Sequence, residues 1–322
     1  MTDLAATVDL ILISLNRSGH RDDPAEQGIL IPQYVRQIRD AIAPDANPFK
    51  TLCTHGNTRE LSKIRRNGFT YSLSTDASLL PTFYHEFFLP FILDRHGDEA
   101  FTQTFDQCQR EFEEGELLSV LDRNGRTVVG TLVQTRGDTW FIRFFGVRDA
   151  DFALVRQGGL AAAWLFCIVE ASKRGCRHID FGLSRPFLDQ GVLFYKKKWG
   201  GWIATHPGAS RPLRMLFCNS NPRAHRFIEE NPLITQRGNL LEGVLALGDH
   251  VHLSDVELFA HLKRCGHPGL LALSVVLLTP AWAARRGAIE QLEGKTGLPL
   301  RIVDLSSTGG PLRAGHLEHG HS

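Results

Sequence analysis

The chain has no excess of charge of either sign: 36 Lys and Arg stand against 35 Asp and Glu over 322 residues, a formal net charge of +1. Bulk electrostatics therefore gives no general affinity for DNA or for an acidic membrane surface, and any anion site must be local. A cysteine framework is also missing. The cysteines at 53, 108, 167, 176, 218 and 265 include no C-x-x-C pair and no close metal-type spacing, which excludes a zinc knuckle and a disulfide scaffold and suits a reducing cytosol. Long hydrophobic runs are lacking too. The longest uncharged apolar stretch, 268–284, contains Pro280 and falls short of a membrane span, residues 8–15 are shorter still, and Met1-Thr2-Asp3-Leu4 lacks the positive segment of a signal peptide. The expectation is a cytoplasmic protein with no membrane span and no DNA partner. No internal repeat or low-complexity block occurs apart from the tail 315–322.

What is present is an ordinary globular composition, 43% hydrophobic, long enough for roughly two domains. Residues 117–122, 127–135 and 139–147 are β-branched and aromatic runs. They are separated by Arg123-Asn124-Gly125-Arg126 and Arg136-Gly137-Asp138, turn residues that tolerate positive φ, and so predict an antiparallel meander. Residues 159–174 put Leu160, Trp164, Cys167, Ile168 and Ala171 on one helical face, with Gly175 as the stop. Residues 177–183 then read as a strand, and a helix of this length between two strands implies a parallel crossover. Residues 192–199 predict a short helix and 202–206 a further strand. Upstream, 98–114 predicts an amphipathic helix with Asp98 as N-cap and Phe101, Phe105, Cys108 and Phe112 in the core, and 74–93 a helical stretch interrupted near Pro81 and Pro90. Apolar runs at 8–15, 241–247, 270–278 and 300–305 predict strands covered on both faces. Helices are expected between them at 32–42, 255–264 and 281–295, with Thr279-Pro280 starting the last.

Chemistry concentrates in Arg156-Gln157-Gly158-Gly159-Leu160-Ala161, which follows a predicted strand and opens a predicted helix. Glycines let backbone N–H groups close on an anion and a helix N-terminus adds positive partial charge, so a diphosphate can be held without side chains. The alternative is a glycine-rich helix start that binds nothing. The stretch resembles the R/Q-x-x-G-x-G/A pyrophosphate loop of the GNAT acyltransferases. His178-Ile179-Asp180-Phe181-Gly182-Leu183-Ser184, followed by Gly191-Val192-Leu193-Phe194-Tyr195-Lys196-Lys197-Lys198-Trp199-Gly200-Gly201, resembles the hDFG strand and hhxYKxxhG helix of their FemAB-like branch. The resemblance covers about half of the chain, from Arg59 to Pro207.

The resemblance implies the fold class α/β (α+β): a GNAT-type mixed sheet with flanking helices over 50–206, to which 1–49 and 207–322 add an accessory α/β region. It further implies an acyl-CoA, acetyl-CoA or longer, as co-substrate, no metal, and direct transfer of the acyl group to an amine on a small molecule, peptide or sugar. The diphosphate would lie at Arg156, Gln157, Gly158, Gly159, Leu160 and Ala161, the pantetheine arm between split strands, and the oxyanion near the backbone of Gly146 and Val147. Tyr195 resembles the tyrosine that protonates the departing thiolate; its alternative is to pack beside Trp199. Lys196 matches the family lysine that lies near anionic substrate groups or the reacting carbonyl, while Lys197 and Lys198 read as solvated. For the general base, Asp180 and Asp189 flank the strand end, Glu86 and His85 come from the preceding helical region, and water relayed by a carbonyl serves equally. Asp180 has a structural alternative, binding N–H groups of its own turn.

Other signals are weaker. Asp180-Phe181-Gly182 and His20-Arg21-Asp22 do not make a kinase, because position 27 is Gln and no strand-borne Lys motif precedes it. His250-x-His252 with His261 lacks a completing carboxylate or Cys at fixed spacing and reads as a polar loop; His316, His319 and His321 sit in the tail. Polar loops at Asn16-Arg17-Ser18, Asp249-His250 and Ser306-Ser307-Thr308-Gly309-Gly310 follow predicted strands, where α/β sheets collect ligands; a stabilising appendage is the alternative. Two other functions compete with the first: an aminoacyl-tRNA-dependent transferase of FemAB type, which the balanced charge disfavours, and a non-catalytic GNAT scaffold.

Overall fold

Two glycine turns fold the middle of the chain into a meander. In the computed structural model, which describes residues 8–14, 28–53, 56–97, 102–205, 212–217, 222–307, 312 and 314–318, Gly125 and Gly137 have φ of +76° and +59°. The Asp122 carboxylate accepts the N–H of Asn124 and of Arg126, closing the first turn. In chain order the strands are β1 (Leu10–Ser14), β2 (Gly28–Ile31), β3 (Val35–Asp40), β4 (Thr70–Ser74), β5 (Gly115–Leu121), β6 (Thr127–Arg136), β7 (Thr139–Val147), β8 (His178–Ser184), β9 (Trp202–Ala204), β10 (Leu213–Phe217), β11 (Leu233–Arg237), β12 (Leu240–Leu247), β13 (Leu273–Leu277) and β14 (Leu300–Asp304). The helices are α1 (Pro48–Cys53), α2 (Thr58–Asn67), α3 (Leu89–His96), α4 (Phe105–Glu113), α5 (Phe152–Arg156), α6 (Gly159–Lys173), α7 (Gly191–Lys198), α8 (Pro222–Glu230), α9 (Asp255–Cys265), α10 (Pro280–Ala283), α11 (Arg286–Glu290) and α12 (Ala314–Glu318). They group into two units: Ile38–Gly182 with Lys198–Gly201, and Met1–Gln37 with Leu183–Lys197 and Trp202–Ser322.

In the first unit β4, β5, β6 and β7 pair antiparallel in sequence, and α6 carries the chain to β8, which pairs parallel with β7. The order of this sheet continues from β8 to β3. Buried from Leu160 through Leu165, α6 owes its wide apolar surface to Ala161-Ala162-Ala163 and to the large side chains around them. It stops where predicted: Gly175 has φ +71°, and Gly175 and Cys176 donate to the carbonyls of Ser172 and Ala171.

Upstream, helical structure runs through the stretch where a break was predicted. Its turns at Ala77–Leu79 and Leu80–Thr82 lead into a π-helical segment, Phe83–Phe88, and then α3. Pro90 has no N–H for the carbonyl four residues back, and a widened turn before it absorbs the mismatch without a break. This segment lies directly on the sheet at a glycine pair. Gly130 stands opposite Gly146 across β6 and β7; a Cβ at 130 would sit 2.6 Å from the Phe83 ring, and one at 146 only 2.5 Å from the backbone of Phe87 and Phe88. Phe83, Phe87, Phe88, Cys108, Phe112 and Leu132 form the core there. Helix α4 begins at Phe105 with a Thr104 capping box closed by Gln107, not with Asp98; residues 98–101, including Phe101, lie outside the described residues.

Predicted as helical, 32–42 instead contains β3. Its inward positions are Val35, Gln37 and Arg39, at 0%, 0% and 7% exposure. Two of the three are polar, which hides the period-two pattern; Gln37 donates to the Leu193 carbonyl and Arg39 to that of Trp199.

In the second unit β12, β13 and β14 are parallel and β11 adds antiparallel to β12. Helix α9 makes one crossover, opening with a Ser254 capping box to Glu257. The helix predicted at 281–295 is broken into α10 and α11, with Arg285 between them. Strand β1 was expected to be covered on both faces; it pairs antiparallel with β10, itself paired to β2, and Leu12 is 51% exposed. His20-Arg21-Asp22, Asn16-Arg17-Ser18, Cys218, Thr308-Gly309-Gly310, His319 and His321 lie outside the described residues. Among the described residues no helix is long and apolar enough to cross a membrane, and no group of three His, Cys, Asp or Glu could hold a metal ion.

Candidate active site

Strands β7 and β8 are paired only at Thr139 with His178, Trp140 with Ile179 and Phe141 with Asp180. Past those pairs they diverge. The register slip between Leu132 and Val133 leaves Arg143 as an extra residue of β7, a bulge that re-aims the strand end. From Ile142 to Val147 the β8 side of β7 is thus an edge whose alternate N–H and C=O groups face away from any ladder. Trp164 of α6 stands between the diverging strands, stacked at 4.9 Å on Phe145 of β7 and edge-on at 4.7 Å to Phe181 of β8.

The chain leaves β7 through a strained corner. Asp149 and Ala150 both have φ of +53°, a region that costs a non-glycine residue on the order of 1 kcal/mol or more. The Asp151 carboxylate then accepts the Ala153 N–H at 2.7 Å and starts α5. At its far end Gln157 and Gly158 donate to the carbonyls of Ala153 and Val155. Gly158, with φ +96°, is held against α2: a Cβ there would lie 3.0 Å from that of Lys63, and Asn67 donates to the Gln157 carbonyl at 2.7 Å. The first intrahelical bond of α6 runs from Ala162 to Gly158. The loop's open donors are therefore the N–H groups of Gly159, Leu160 and Ala161, at the positive end of a fifteen-residue helix. Those of Gln157 and Gly158 are already committed, and the Arg156 side chain is exposed.

The remaining predicted residues separate into two groups. In the first unit Glu86, on the π-helical segment, pairs with Arg148 at 3.0 Å and is half exposed. Arg148 also donates to the Thr127 carbonyl and lies 4.5 Å over the Phe87 ring. His85 is exposed and packs on Tyr84 and Phe105. Asp180 is 2% exposed and accepts the Gly182 N–H at 2.6 Å, so one of its oxygens shapes the turn where Gly182 takes φ +75°.

Tyr195 and Lys196 belong to the second unit. Lys196 is 5% exposed and donates to the Leu183 carbonyl at 2.8 Å and to Ser184 Oγ at 3.0 Å, while Ser184 donates to Gln37 Oε1 at 3.0 Å. Lys196 is thus tied into a buried polar chain joining β8 to α7. Tyr195 is partly buried. Lys197, read as solvated, instead caps α9: its ammonium donates to the carbonyls of Lys263, Arg264 and Gly266, and burial lowers its pKa. Helix α7 ends at Lys198, and in the first unit Asn57 donates to the Lys198 carbonyl, Arg39 to that of Trp199 at 2.7 Å, and Gly200 turns with φ +83°. Burial brings the Arg39 pKa down to about 10, which leaves it cationic at neutral pH. Sequence reasoning missed Arg148 and Arg39. Neither sits in a motif, and only strand-end position marks the first.

No family model matches the chain, and no curated protein matches it. Among solved structures it is similar to L-PGS from Bacillus licheniformis (10% identity, 62% of this chain and 65% of that one, TM-score 0.38). It is also similar to FemX (15% identity, 61% and 64%, TM-score 0.41) and to a GCN5-related N-acetyltransferase from Sphaerobacter thermophilus (15% identity, 59% and 54%, TM-score 0.31). The matched part spans less than two thirds of each of these proteins. The likenesses are distant, and the fold is read from this chain's own strand order: an antiparallel meander, a crossover helix and a parallel strand that diverges from the meander's last member, the GNAT-type arrangement.

Proposed function

We propose that the chain is an acyltransferase that passes an acyl group directly from a CoA thioester to an amine. The observation that supports this most is the combination on one unit of a strand released from its neighbour after Phe141 and, a short turn later, three open amides at the start of α6. A thioester carrying a diphosphate needs that pair of features. Its phosphates are met by oriented N–H groups, and its amide-bearing arm by an unpaired strand edge.

In the reaction the amine nitrogen attacks the thioester carbonyl, the C–S bond breaks, the nitrogen loses a proton and the thiolate gains one. The developing oxyanion falls to backbone N–H near Gly146 and Val147. Glu86, exposed near the open end of β7, is the carboxylate we assign to take the amine proton, directly or through water; Asp180, buried in its own turn, is given a structural part. Tyr195 is assigned the thiolate proton on resemblance alone, and Lys196, bonded to the Leu183 carbonyl and Ser184 Oγ, a structural part in tying α7 to β8.

The test is calorimetric titration with acetyl-CoA and longer acyl-CoAs, followed by thiol release across an amine panel. Saturable binding that Gly159→Glu abolishes, with amine-dependent thiol release, is the expected result. Retention of aminoacyl-tRNA in place of acyl-CoA would replace the donor in this reading, and binding without thiol release on any amine would reduce the protein to a scaffold.

A further inference from the structure

The helix that leads into the glycine loop carries an exposed aromatic ring with one arginine over it and a second one helical turn on. Phe152, at the start of α5, is 41% exposed, whereas Gly158, Gly159, Leu160 and Ala161 of the loop are buried. The Arg95 guanidinium lies 5.9 Å over that ring and 5.2 Å over the ring of Phe91. Arg156 is four residues on from Phe152, which puts the two side chains one above the other on the same face of α5. Both arginines are exposed. Among the described residues neither is paired with a carboxylate.

An exposed ring flanked by unneutralised guanidinium groups attracts a flat, electron-rich ligand that also carries negative charge. The ring offers its face for stacking, and the cations add charge and cation–π attraction. Two residues beyond Arg156 begins the loop whose open amides suit a diphosphate. A base on Phe152 and phosphates at Gly159 to Ala161 are the two ends of one molecule. We propose that Phe152, with Arg95 and Arg156, is the stacking platform for the base of the donor, so that the nucleotide end of the thioester contributes to its binding. A phosphopantetheine arm on a carrier protein has the phosphate and the thioester but no base to place there. This inference rests on the reading that a CoA thioester docks at the glycine loop, and it names the residues that would hold the donor's base.

The experiment compares acetyl-CoA with S-acetyl-4′-phosphopantetheine by calorimetry on the wild-type protein and on Phe152→Leu, Phe152→Trp and Gly159→Glu. Leucine keeps the apolar bulk but not the stacking face, and the tryptophan variant guards against a packing defect. The wild-type protein is expected to prefer acetyl-CoA at least tenfold. Phe152→Leu should weaken acetyl-CoA about tenfold, the usual size of one base–aromatic stack, while moving the phosphopantetheine thioester less than twofold. Phe152→Trp should retain wild-type affinity. Equal affinity of the wild-type protein for the two ligands, or an unchanged acetyl-CoA affinity in Phe152→Leu while Gly159→Glu loses it, overturns the platform and leaves the acyl-donor reading standing. Failure of the wild-type protein to bind either ligand overturns both together.

Discussion

His267 makes the stability of the second unit depend on pH in a way that can be calculated and isolated. The side chain is wholly buried, and its Nε2 donates to the Leu188 carbonyl at 3.0 Å, which leaves Nδ1 as an acceptor without a partner. Burial, reinforced by the nearby Lys197 ammonium and opposed by the Leu188 carbonyl, brings its pKa from 6.5 down to about 4. The unfolded chain takes up this proton near pH 6.5 and the folded chain only near pH 4, so between those values the unfolded state binds more protons and stability falls as pH falls. Full loss is about 3 kcal/mol below pH 4, and about 2 kcal/mol is gone by pH 5. His261, also lowered by burial, acts in the same direction, so the measurement is a double difference. Urea unfolding of the wild-type protein and of His267→Gln, which keeps an N–H donor for Leu188 but does not titrate, is compared at pH 7.5 and pH 5. The wild-type protein should lose about 2 kcal/mol more than the variant between the two. Parallel losses in both proteins would mean that His267 is not the group that titrates.

Three further outcomes are expected. Gly146→Ala places a Cβ 2.5 Å from the backbone of Phe87 and Phe88, which cannot rotate aside; denaturation should show a loss of about 1–3 kcal/mol, and an unchanged midpoint would mean the π-helical segment moves freely. Tyr195→Phe should lower kcat for amine acylation while leaving acetyl-CoA affinity within about twofold; parallel loss of affinity would make Tyr195 a packing residue. Ser254→Ala removes the cap of α9 and should cost about 1 kcal/mol in urea unfolding, with no loss if Glu257 alone secures that helix start.

The parts of the fold that were legible in the sequence are those fixed by local chemistry. Gly125, Gly137 and Gly175 mark turns and a helix end that only positive φ allows, and the expected elements at 127–135, 139–147 and 159–174 match β6, β7 and α6 within a residue or so. The illegible parts depend on tertiary partners. β3 turns Gln37 and Arg39 inward, a choice that makes sense only once the Leu193 and Trp199 carbonyls are there to receive them. The π-helical run before Pro90 is stabilised by contact with Gly130 and Gly146, which lie more than forty residues on. At the candidate site the glycine loop was readable as a helix start, but not the commitment of the Gln157 and Gly158 N–H groups to α5. Nor could charge counting show that Lys197 caps a helix more than sixty residues away.

On this proposal a diphosphate-bearing thioester is received by the amides at the start of α6, beside the released end of β7. Residue-resolved amide hydrogen exchange with and without saturating acetyl-CoA tests it most directly. Slowed exchange at Gly159, Leu160 and Ala161, together with whichever of Gly146 and Val147 turns its N–H away from β6, is the predicted result. Protection confined to other segments, or no change at those amides while the ligand is bound, would contradict it.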